Sequence, residues 1–97
     1  LRMRVKNEAP RGLMYFFFSR EDNTSWGGGK RYDINIATND KEYKEYIIDL
    51  SSNDQWGGTV TQLRLDPVHS VDGTVSVAAD FYIDSIEFLK ENFYIVL

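Results

Sequence analysis

The residues with the most recognition chemistry in this chain are two tryptophans, a tyrosine, a glutamine and an arginine. Trp26 sits in REDNTSWGGGK (20–30), Trp56 in SSNDQWGG (51–58), and Tyr32 begins the alternating stretch YDINI (32–36). Gln62 and Arg64 alternate with Leu63 and Leu65 in TQLRLD (61–66). A flat ring offers a stacking surface at low entropic cost. Amide and guanidinium groups donate to hydroxyls, and an amide oxygen accepts from them. A ring against the C–H face of a pyranose, with polar groups around its hydroxyls, is the chemistry of sugar binding.

Each candidate has a competing structural reading. Trp26 lies in a polar, glycine-rich loop where a large ring has no obvious core to enter; the alternative is a ring folded back over the end of the fold. Tyr32 shares a phase with Ile34 and Ile36, which favours the core, and puts Asp33 and Asn35 on the opposite, solvated face. For Trp56, packing competes with binding. Gln62 and Arg64 share a face with Asp66, and Arg64 could instead pair with a carboxylate of a neighbouring strand. Asp84 shares a phase with the apolar Tyr82, Ile86 and Phe88, so it needs a cation or several donors. Arg64 is one candidate partner and a calcium ion is the other.

Catalysis finds little support. His69 is the only histidine and has no serine or cysteine partner in a motif. Glu21/Asp22 and Asp40/Glu42 lie in loop-like stretches and read as solvated, whereas glycoside hydrolysis needs two opposed carboxylates in a cleft. GGGK (27–30) lacks the remainder of a phosphate-binding loop, and NTS (23–25) matches the glycosylation pattern only. With no cysteine, disulfides, zinc–cysteine sites and thiol chemistry are excluded. The expectation is a chain that is not an enzyme and carries no cofactor.

The 97 residues suffice for one domain. A hydrophobic content of 42% and an aromatic content of 14% exceed those of disordered chains. Fifteen acidic against eleven basic residues give a net charge of −4. Nucleic acids and anionic membranes call for clustered Lys and Arg, so neither is an expected partner; a neutral or cationic ligand fits better. No apolar stretch approaches the roughly 20 residues that span a bilayer, and no signal peptide is visible. Leu1 falls inside an alternating stretch, so the chain reads as a piece of a longer protein.

The pattern is β throughout. Leu1, Met3 and Val5 alternate with Arg2, Arg4 and Lys6, giving a half-buried strand. LMYFFFS (13–19) is a continuous apolar run, expected centrally in a sheet with both faces covered. Further strands are expected at 32–36, 46–50, 61–66 and 93–97, with one helical turn possible within 51–58. Pro67 is expected to end pairing. The long stretch TVSVAADFYIDSIEFL (74–89) changes parity once, which calls for a bulge near Ala79–Asp80 or burial on both faces. Seven or eight short strands with regular turns predict an antiparallel β-sandwich of jelly-roll or immunoglobulin-like type.

WGGTVTQLRLDP (56–67), the DGT turn (72–74) and FYIDSIEFL (81–89), with EYKEYIIDLSSND (42–54) before them, resemble the C-terminal half of galactose-binding-like β-sandwich modules. The resemblance covers roughly residues 1–90. It implies a jelly-roll carbohydrate-binding module of a secreted or cell-surface bacterial protein, with a polysaccharide or oligosaccharide as partner. In that pattern the tryptophan at Trp56 recurs whatever the ligand, which suggests packing. Two departures stand out. N-terminal strands that often help to form a structural calcium site are missing here, so no metal residue is carried over. FYIVL (93–97) runs past the usual end and is expected to pair along an edge, in its own chain or in a second copy, as a homo-oligomer.

Overall fold

The computed structural model describes residues 1–69 and 79–89. Its strands are β1 (Arg2–Asn7), β2 (Leu13–Arg20), β3 (Arg31–Asn35), β4 (Lys44–Ile47), β5 (Val60–His69) and β6 (Phe81–Glu87), with one 3₁₀ turn at Leu50–Ser52. They form two antiparallel three-stranded sheets, ordered β4-β1-β6 and β3-β2-β5. The chain is all-β, as the period-2 alternation requires. The turn beyond His69, residues 74–78 of the long stretch, and FYIVL with its proposed edge pairing lie outside the described residues.

One core joins the sheets. Met3 and Val5 of β1 meet Met14, Phe16 and Phe18 of β2 and Tyr32 and Ile34 of β3. Each large side chain buried this way contributes about 1.5–3 kcal/mol. The apolar run at 13–19 takes the central position in its sheet, but it is not equally covered on both sides. Met14, Phe16 and Phe18 are buried, whereas Tyr15 and Phe17 on the alternate face are half-buried.

Two expectations about irregularities need correction. Pro67 does not end β5; the strand runs on to His69. Its partner β2 shifts register between Leu13 and Tyr15, opposite this segment. Among the described residues β5 is also an edge strand, where a missing N–H removes no ladder bond on the open side. The parity break in β6 lies lower than Ala79–Asp80. Val5 faces Ile83 and Arg4 faces Ser85, so Asp84 is the extra residue. The bulge keeps Ile83 and Ile86 opposite the inward-facing Val5 and Met3, and it turns Asp84 outward. Its carboxylate accepts from Arg4 Nε at 3.1 Å, so its arginine partner is Arg4 rather than Arg64.

Candidate functional site

The sequence carries Arg-x-Asp three times, at Arg20–Asp22, Arg31–Asp33 and Arg64–Asp66; the last two lie wholly within the strands β3 and β5. A spacing of two places Arg and Asp on one face of a strand. β3 and β5 both run antiparallel to β2, so they point the same way and their motifs align. Phe17 lies between Arg31 and Arg64; Tyr15 lies between Asp33 and Asp66. The outer face of this sheet is therefore a cationic row beside an acidic row, with an aromatic ring at the centre of each.

Both arginines pair within their own strand. Arg31 Nε lies 2.7 Å from Asp33 Oδ1 and Arg64 Nε 3.2 Å from Asp66 Oδ1. At 43% and 41% side-chain exposure for the arginines, each pair is worth at most about 1 kcal/mol. Their larger effect is on orientation. The Arg31 guanidinium is held over the Tyr15 ring at 4.3 Å and that of Arg64 over the Phe17 ring at 4.0 Å. The two rings meet edge to face, 5.9 Å between centroids. The two guanidinium groups thus cover the Tyr15 and Phe17 rings on the outer face.

Trp26 reaches this face from the loop between β2 and β3. Gly28 and Gly29 take φ of 72° and 78°, the left-handed region where only glycine is unstrained. Asn53 Nδ2 clamps the end of the loop, donating to the carbonyls of Gly29 and Arg31 at 2.7 and 3.0 Å. The loop folds back so that Trp26 is half-buried, its ring 5.2 Å from the Arg64 guanidinium. An open hollow of about 470 Å³ lies beside it, lined by Phe17, Trp26, Lys30, Arg31, Asp33 and the three loop glycines. Lys30 is fully buried beneath the loop, and its ammonium donates to Ser25 Oγ at 3.2 Å.

Of the residues singled out from sequence, Trp26 and Arg64 come together. Gln62 is one row further along, exposed, opposite Ser19, whose hydroxyl donates to Gln62 Oε1 at 3.5 Å. Tyr32 and Trp56 belong elsewhere. Tyr32 is 6% exposed and faces the core, with its hydroxyl donating to the Leu50 carbonyl. Trp56 packs edge-on against Phe18 at 5.0 Å and stacks on Phe88 at 6.2 Å. Neither ring touches the outer face. A larger hollow of about 790 Å³ between β3 and β4 is lined by Asn35, Ile47, Asp49 and Asn53; its only ring, Tyr32, is turned into the core.

Tyr15, Phe17, Arg31 and Lys30 were not legible as site residues. A continuous apolar run hides which of its rings face outward. The repeated Arg-x-Asp flanking that run was the available signal, because aligned strands turn it into rows. No group of three or more metal-ligating side chains gathers among the described residues, and no helix there is long and apolar enough to cross a membrane. No protein family, curated protein or solved structure matches this chain.

Proposed function

We propose that this chain is a non-catalytic carbohydrate-binding module, built as a galactose-binding-like jelly-roll sandwich within a secreted or cell-surface bacterial protein. The observation that carries the reading is Trp26, half-buried and lining the same hollow as the Arg31–Asp33 pair. A sugar ring resting on the indole would bring its hydroxyls against a fixed donor and a fixed acceptor, a bidentate arrangement suited to vicinal hydroxyls. Calorimetric titration against a panel of polysaccharides tests it. Binding that Trp26→Ala abolishes supports the reading; no binding by any glycan, or an unchanged affinity in Trp26→Ala, refutes it.

A structural or self-associating role is the second reading. It is favoured by Leu63, Ile83, Ile86 and Phe88, which are 44%, 48%, 40% and 54% exposed along the sides of β5 and β6. Apolar side chains next to edge strands invite a further strand or a second copy. Light scattering separates the two: a concentration-dependent oligomer favours assembly, and a monomer that binds glycan favours the module.

A further inference from the structure

We infer that the ligand of the outer face of β3-β2-β5 is an anionic glycan, carrying carboxylate or sulfate groups, that lies along the Arg31–Phe17–Arg64 row. This rests on the reading of that face as a carbohydrate site and names the class of sugar.

Three observations carry it. First, each arginine spends only one edge on its aspartate. Nε and Nη2 of Arg31 and of Arg64 face the two oxygens of Asp33 and Asp66. Nη1 of each, with two N–H donors, has no hydrogen-bond partner among the described residues. A guanidinium stacked on a ring presents such an edge to an acceptor in its plane, and a carboxylate or sulfate is the acceptor whose two oxygens match it. Second, the two arginines flank Phe17 on neighbouring strands, which places their backbones about 10 Å apart. That spacing suits a chain with repeated charges better than a single charged sugar.

Third, Lys30 adds charge that nothing nearby cancels. It is 0% exposed, its ammonium meets a serine hydroxyl, and no carboxylate of the described residues lies within ion-pair distance of it. Burial lowers the local dielectric and lengthens the reach of that charge into the hollow. Lys30, Arg31 and Arg64 against Asp33 and Asp66 leave the face at +1, whereas the whole chain stands at −4. The acidic overall balance pointed to a neutral or cationic ligand; the local balance points the other way.

The full chain is titrated by calorimetry with polygalacturonate, its methyl ester, a sulfated galactan and uncharged galactan. Binding of polygalacturonate, weakened about tenfold by esterification and by raising salt from about 50 to about 500 mM, supports the inference and assigns carboxylate. Binding of the sulfated galactan alone supports it and assigns sulfate. Arg31→Gln and Arg64→Gln each weaken the anionic chain about fivefold or more, with folding verified by a melting transition that stays cooperative and lies well above the titration temperature. Lys30→Met does the same without touching the ligand. Equal affinity for charged and uncharged galactan overturns the inference and leaves the carbohydrate reading intact. Absence of binding to all four overturns the inference, and the carbohydrate reading falls with it only if the wider polysaccharide panel also fails to bind.

Discussion

Arg64 lies over Trp26: the guanidinium carbon is 5.2 Å from the centre of the indole, on the outer side of the central strand. The same guanidinium rests on Phe17 at 4.0 Å. Arg64 therefore holds a ring of the glycine-rich loop against the sheet.

Removing that hold frees Trp26. Arg64→Ala leaves the indole with one partner fewer and more water, so its fluorescence shifts to the red. The measurement is made in a Trp56→Phe background, where Trp26 is the only tryptophan, with excitation at the red edge where tyrosine does not absorb. The stability cost is about 0.5–1 kcal/mol, the size of a partly exposed cation–π contact. An unshifted emission spectrum means that the loop is held by Asn53 and its glycines alone.

Alternation made the strands and the two-faced nature of β1 and β3 legible, because Met3, Val5, Ile34 and their polar neighbours differ in type. It failed in β2, where both faces are apolar and Phe17 looks like Phe16 and Phe18. Register also lies beyond single-strand patterns. That Arg31 and Arg64 flank one ring follows from which strands become neighbours, and neither local stretch contains that information. Asp84 shows the same limit: one bulged residue reversed its side and gave it Arg4. Trp26 and Trp56 both follow polar stretches and precede glycines, yet one caps a surface and the other plugs the core.

The loop glycines are not equivalent. Gly28 and Gly29 have positive φ, whereas a Cβ on Gly27 would meet nothing within 4 Å. Gly27→Ala is expected to leave the melting temperature unchanged. Gly28→Ala and Gly29→Ala each force a side chain into the left-handed region, at about 1–2 kcal/mol. Both should displace Trp26, so affinity and stability fall together. Thermal melting of the three variants checks the order.

Trp56 is expected to carry stability. Its indole sits against Phe18 at 5.0 Å and Tyr32 at 6.3 Å, and truncation opens the end of the core. Trp56→Ala is expected to cost about 3 kcal/mol, read from urea unfolding. Trp56→Phe keeps most of the volume and recovers about half of that loss. Neither change is expected to alter any affinity for glycan in the fraction that remains folded.

Tyr32 gives the fold an alkaline limit. Burial raises its phenol from 10.0 to about 12, and the Asp49 carboxylate adds to the rise. The unfolded chain ionises this group near pH 10, and the folded chain holds the proton up to about pH 12. Unfolding therefore releases a proton between those values. The stabilisation tied to the neutral phenol is whole below pH 10 and is lost as pH climbs to 12, on the order of 2 kcal/mol in all. Tyr32→Phe has no proton to lose at this position. At pH 8 the variant is less stable by about 1 kcal/mol, because the Leu50 carbonyl loses a donor. Between pH 10 and 12 its stability curve falls less steeply than that of the parent, so the two converge. Urea unfolding at intervals across this range measures both slopes, and parallel curves would assign the alkaline limit to another group.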